Sequence, residues 1–173
     1  MAFDNPLAGE IWNGKYRFNP REGGGDDTVS ATWDRIAAAL AEAEPTKTRA
    51  RWRARFREAL EGYRFLPAGR IIAGAGTGRS VTLFNCFVMG TVPDDLNGIF
   101  EHLREAAVTM QQGGGVGMDF STVRPSGAPV RGVGAEASGP LSFMDVWDSM
   151  CRTIMSAGQR RGAMMGCLRI DHP

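Results

Sequence analysis

The sequence predicts an α/β protein in which a helical N-terminal region, residues 1–62, leads into alternating strands and helices over residues 63–173. Two observations predict it. Apolar residues recur every three or four positions through residues 28–44 and 46–62, the period of a helix with one buried face. After Tyr63, short runs rich in Val, Phe and Met alternate with helical stretches long enough to cross between parallel strands.

The elements follow in order. Residues 5–18 form an arm of mixed polarity, and the Gly- and Asp-rich residues 21–27 read as a loop. A helix over 28–44 places Val29, Trp33, Ile36, Ala37 and Leu40 on one face, with Thr28 or Ser30 as N-cap and Pro45 as its stop. A second helix over 46–62 sets Trp52, Phe56 and Leu60 on one stripe and arginines on the others. Residues 64–72 are short, apolar and interrupted, and 73–79 are a loop of small residues. Residues 80–89 read as a strand. Pro93, Asp94 and Asp95 then cap a helix over 96–112 that buries Ile99, Leu103, Ala106, Ala107 and Met110. A strand over 116–123, a Pro/Gly loop over 124–139, a helix over 143–156 and a strand over 163–170 complete the pattern. A parallel strand is normally covered on both faces, and nothing follows the last one, so the C-terminus reads as cut within a larger domain.

Composition narrows the function classes. The 173 residues have a net charge of +1, which argues against a large footprint for nucleic acid or an anionic membrane. Only Lys15 and Lys47 are lysines; the remaining positive charge is Arg, whose planar fork suits phosphate or carboxylate, although a GC-rich genome produces the same bias. Three cysteines, Cys86, Cys151 and Cys167, are too few and too scattered for a disulfide framework or a zinc knuckle. Neither a signal peptide nor a run of about 18 apolar residues occurs, so a reducing, cytoplasmic setting is expected.

Glycine, at 23 residues, clusters between the predicted elements. Residues 113–117 (GGGVG) follow a helix and precede a strand, the reverse of a dinucleotide fingerprint, and no glycine loop continues into a Walker lysine. A helix C-cap needs only one of these glycines; bare backbone lying against a ligand is the other reading. Cys86, inside an apolar strand with no neighbouring His or Cys, reads from composition as an inert small hydrophobe. Cys151 and Cys167 read the same way. Gln159, Arg160 and Arg161, bounded by Gly158 and Gly162, are either a solvated turn or an Arg pair that reaches phosphate or a base edge. Asp94 is a capping residue first and a candidate partner for a ribose hydroxyl second. His102 and His172 have no metal-ligand spacing, and no metal site is expected.

In order along the chain, residues 5–12 (NPLAGEIW) with 15–18 (KYRF), 65–70 (FLPAGR), 83–88 (LFNCFV), 112–120 (QGGGVGMDF), 138–144 (SGPLSFM), 160–165 (RRGAMM) and the closing His172-Pro173 resemble the large-subunit family of ribonucleotide reductases, in its class II, adenosylcobalamin-dependent branch. The resemblance covers nearly the whole chain. It implies a helical region followed by a ten-stranded α/β barrel, incomplete here, that reduces ribonucleotides at the ribose 2′ position by thiyl-radical chemistry. A cofactor supplies the radical and the protein positions it.

What the resemblance implies for individual residues is as follows. Cys86 is the first member of the redox cysteine pair, reversing the compositional reading. Asn85, Gly114 and Gly115 contact the substrate. Asp94 and Arg124 bind the ribose and phosphates of a deoxynucleotide effector, and residues 156–165 form the loop that reports the effector to the substrate base through Gln159, Arg160 and Arg161. The radical cysteine, the second redox cysteine and an Asn/Glu pair match nothing in this sequence, and adenosylcobalamin is expected to be held mainly by parts outside it. The implied partners are the C-terminal remainder of the enzyme, a thioredoxin-type reductant and, left open, a second copy of the chain. The competing readings are a stand-alone nucleotide-binding regulator that lost catalysis and a non-binding structural remnant; class I, with a di-iron partner subunit, is the alternative branch.

Overall fold

The computed structural model describes residues 3, 5–20, 24–154 and 162–173, and its contacts divide the chain into two compact units, Met1–Leu83 and Phe84–Pro173. The division falls later than residue 62. The reason is a short helix in the segment after Tyr63, whose Ile72 and C-cap residue Ala75 belong to the core of the first unit.

The first unit is helical. Helix α1 (Pro6–Ile11) starts with Asn5 accepting a hydrogen bond from the Leu7 amide and continues as a π-turn through Trp12–Tyr16. Helix α2 (Val29–Ala41) is capped by Thr28, whose hydroxyl accepts from the Ala31 amide. Helix α3 (Thr46–Leu60) ends before a turn in which Gly62 and Tyr63 both take left-handed backbone angles. Helix α4 (Gly69–Gly74) lies in the segment whose sequence reads as short and interrupted, because two glycines in six residues conceal a helical pattern. Val29, Trp33, Ile36, Ala37, Leu60, Ile72 and Ala75 form the core.

A buried ion pair fastens this unit. Asp26 and Arg35 meet at 2.8 Å, with side chains only 4% and 10% exposed. Asp26 also accepts from the Phe18 amide at 3.1 Å and the Thr32 hydroxyl at 2.8 Å. Arg35 donates onward to the carbonyls of Ile72, at 3.0 Å, and Ala75. Burial pushes the Asp26 carboxyl up, but the bonds from Arg35, the Phe18 amide and Thr32 together hold it below the ordinary aspartate value.

The second unit is a parallel sheet with helices between its strands, as expected. Strands β1 (Cys86–Thr91), β2 (Gly115–Asp119) and β5 (Met164–Cys167) lie in the order β1-β2-β5. Helix α5 (Leu96–Gln111) connects the first pair; α6 (Pro140–Thr153) precedes β5. A small hairpin, β3 (Pro129–Val130) with β4 (Ala135–Glu136), occupies the loop read from sequence as irregular. The first strand starts at Cys86 instead of residue 80, because Leu83 packs on the core of the first unit. Helix α6 starts at Pro140, at the first turn where its fixed φ costs nothing, directly after Gly139 at φ 81°.

Alternation along β2 orients the sheet. Val116 and Met118 are buried against α5 and α6, with Met89 and Met164 beside them, so Gly115, Gly117 and Asp119 belong to the opposite face. Phe120 and Trp147 meet edge-on at 5.2 Å in this core. Among the described residues, no helix is long and apolar enough to cross a membrane.

Candidate active-site face and nucleotide-contact pair

The predicted site residues fall into two groups at opposite ends of the sheet. Cys86 opens β1 and pairs in register with Gly115, which opens β2. The Gly115 amide donates to the carbonyl of Asn85 at 2.8 Å, so Asn85, Cys86 and Gly115 form one edge. A β-carbon on Gly115 would lie 3.5 Å from Cys86 Sγ. The Cys86 thiol is free and exposed, not packed in the core as its apolar neighbours suggested, because it stands on the face that α5 and α6 leave bare. Val88, 95% exposed, and Met165, 63% exposed, share that face in register with Gly117.

Gly114 plays a different part from Gly115. A β-carbon there would come within 2.8 Å of the Phe87 ring and 2.9 Å of Thr109, and its amide already donates to the Thr109 carbonyl at 3.0 Å. Its missing side chain makes room for packing between α5 and β1.

Asp94, just before the Asp95 cap of α5, and Arg124, after β2, meet at the carboxyl ends of the strands. The Arg124 Nε donates to both Asp94 oxygens, at 2.9 and 3.1 Å, and the Arg124 amide to one of them at 3.0 Å. The Arg124 Nη1 reaches the Pro129 carbonyl at 3.2 Å, tying the hairpin to the pair. Asp95 itself caps α5, accepting from the Gly98 amide at 2.8 Å. Cys86 and this pair lie at opposite ends of β1, whose six residues span roughly 17 Å. Gln159, Arg160 and Arg161 lie outside the described residues.

Sequence reasoning missed Asp119 and Cys167, which share the face of Cys86 at the far end of β2 and β5. Cys167 is exposed, not the buried hydrophobe expected. The Asp119 carboxylate is held below its ordinary value by the Ser121 hydroxyl and amide. The alternation of residues 115–119 carried this signal: two glycines and an aspartate at odd positions, Val and Met at even ones. An apolar cavity of about 360 Å³ inside the first unit is walled by Trp12, Tyr16, Trp33 and Tyr63, and among the described residues no charged group lines it.

Residues 84–173 match the family described as "Ribonucleotide reductase, barrel domain", and residues 2–80 its all-alpha domain. The chain belongs to the ribonucleotide reductase large-chain family. Its two compact units coincide with these two matches, and the parallel sheet is the start of the reductase barrel. A vitamin B12-dependent ribonucleoside-diphosphate reductase of Mycobacterium tuberculosis is 36% identical over 163 residues, 92% of this chain and 23% of that protein. One from Thermoplasma acidophilum is 40% identical over 119 residues, 69% of this chain and 15% of that protein. The ribonucleoside-diphosphate reductase subunit alpha of Chlamydia muridarum is 30% identical over 155 residues, 90% of this chain and 14% of that protein. The chain thus spans less than a quarter of the length of these reductases.

Proposed function

We propose that this chain is the N-terminal portion of an adenosylcobalamin-dependent ribonucleoside-diphosphate reductase, inactive without the downstream part of the barrel. The observation that carries the reading is the free, exposed Cys86 thiol on the helix-free face of a parallel sheet, in register with Gly115, which has no side chain to crowd it. In a closed barrel that face is the interior, where a ribonucleotide is enclosed away from water.

Cys86 supplies one of two thiols that become a disulfide as the ribose 2′-hydroxyl leaves as water; the two protons and two electrons come from this pair, which a thioredoxin-type reductant restores. Asn85 and Gly115 line the ribose, and Gly114 sets their position through its packing on Phe87. Asp94 and Arg124 hold a deoxynucleotide effector by its ribose and phosphates, the guanidinium being the group that suits phosphate. Residues 159–161 relay the effector's identity. Adenosylcobalamin, when bound, supplies the radical. Among the described residues no group of three His, Cys, Asp or Glu side chains could hold a metal ion, and no residue of this chain is assigned to the cofactor.

The test uses the full-length reductase that contains this segment. Cys86→Ser is expected to abolish multiple turnover with a thioredoxin-type reductant while leaving nucleotide binding within about twofold of the parent, since a hydroxyl cannot join a disulfide. Full turnover by the serine variant would remove Cys86 from the chemistry.

A further inference from the structure

Helix α3 has a cation at every second position from Lys47 to Arg57 and no acidic residue between them. A step of two residues turns a helix by about 200°, so these six fall on two stripes, Lys47–Arg51–Arg55 and Arg49–Arg53–Arg57.

The fold engages the two end residues of the second stripe, whereas Arg53 between them is exposed and has no hydrogen-bond or ion-pair partner among the described residues. Arg57 is enclosed by Asp34 at 2.8 Å, the Ser30 hydroxyl at 2.6 Å and Glu61. Arg49 donates to the carbonyls of Glu42, at 3.1 Å, and Glu44, at 3.4 Å. On the other stripe, Lys47 and Arg51 have no hydrogen-bond or ion-pair partner among the described residues, and the Arg55 guanidinium lies over the Trp52 ring at 5.1 Å. All three are exposed, as are Ala50 and Ala54 alongside them. Glu58 continues the stripe at its C-terminal end, but Arg64 engages its carboxylate at 3.4 Å. Like charges four residues apart repel, and among the described residues no ion pair offsets Lys47 against Arg51 or Arg51 against Arg55.

We infer that the Lys47–Arg51–Arg55 stripe is a docking surface for an acidic helix of a protein partner, one with carboxylates spaced four residues apart. Such a helix repeats its carboxylates every ~6 Å, the period of the stripe, and Ala50 and Ala54 let it approach closely. The guanidinium forks accept carboxylates side-on. A nucleic acid fits less well: the Trp52 ring is taken by Phe56, stacked at 5.6 Å, and by Arg55, which leaves it no free platform for a base. Exposed pairs of this kind speed encounter and give modest, salt-sensitive affinity. The surface lies wholly in the first unit, so its test is separate from that of the reductase reading.

The test is fluorescence anisotropy of a labelled helical peptide carrying Glu at four-residue spacing, titrated with the full chain, beside its Gln counterpart and a single-stranded oligonucleotide. The Glu peptide is expected to bind at least about tenfold more tightly than the Gln peptide, and to release as salt rises. Arg51→Glu with Arg55→Glu is expected to cost about tenfold or more, whereas Arg53→Glu, an exposed arginine on the other stripe, costs less than about twofold. Far-UV circular dichroism checks that the double variant is folded; Arg51→Gln with Arg55→Gln replaces it if not, with the same ranking expected. Equal loss from Arg53→Glu, equal binding of the two peptides, or tighter binding of the oligonucleotide would each overturn the assignment.

Discussion

An alanine at position 114 would put its β-carbon within 2.9 Å of both the Phe87 ring and Thr109, whereas one at 115 would rest 3.5 Å from the Cys86 sulfur, an ordinary contact. Gly114→Ala is therefore expected to destabilise the chain by about 1–3 kcal/mol, the usual range for overpacking, in urea unfolding. Gly115→Ala should leave unfolding almost unchanged and lower turnover in the full-length enzyme by crowding the thiol. The reverse ranking would assign the wrong glycine to the site. The Asp26–Arg35 pair makes a prediction of a different kind. Because folding lowers the Asp26 pKa, the stability it contributes is complete above the ordinary aspartate value and is lost as pH falls through the lowered folded value. Melting temperature followed from neutral to acid pH should drop less steeply in Asp26→Asn than in the parent. At neutral pH, Arg35→Ala should cost about 3–5 kcal/mol, since it strands a buried carboxylate. Neither residue stood out in the sequence, where Asp26 sits in a polar loop and Arg35 among many arginines.

At the scale of elements, apolar spacing located α2, α3 and α5 well, because each has a continuous stripe, and α2 and α5 also start at a capping side chain, Thr28 and Asp95. The strands were harder. Their ends depend on which residues pair across the sheet, and the register of Cys86 with Gly115 is set by tertiary contact that local composition does not encode. The Asp94–Arg124 pair illustrates the same limit: both residues were singled out, yet only the fold brings two loops some thirty positions apart into one hydrogen-bonded link. Each side chain is 34% exposed, so this link should matter little to folding. Arg124→Ala is expected to cost about 1 kcal/mol or less in unfolding experiments. If the proposed effector role holds, the same variant in the full-length reductase should lose its response to deoxynucleotides while basal turnover survives. A large loss of stability with an intact response would make the pair structural.

For the whole molecule, the strand–helix alternation made the parallel sheet legible, but which face of it stays bare was not. Exposed Val88 and Met165 on that face present an apolar surface next to strand edges that are unpaired among the described residues. The 173-residue chain by itself should self-associate with rising concentration, seen by light scattering, and the downstream portion of the reductase added in trans should suppress this. A chain that stays monomeric at all concentrations would contradict the exposed face. In the helical unit, Arg35 joins three segments at once: the loop bearing Asp26, its own helix α2, and the end of α4 through the Ile72 and Ala75 carbonyls. A six-residue helix is too short to persist alone in water. Among the carbonyls at its end, that of Gly74 accepts from the Thr77 amide and hydroxyl, while those of Ile72 and the C-cap residue Ala75 accept from Arg35. Opening α4 thus strips Arg35 of acceptors and loosens its hold on Asp26, so the three segments should open together or not at all. The amide protons of α4 would then exchange with solvent as slowly as those of the much longer helix that Arg35 belongs to.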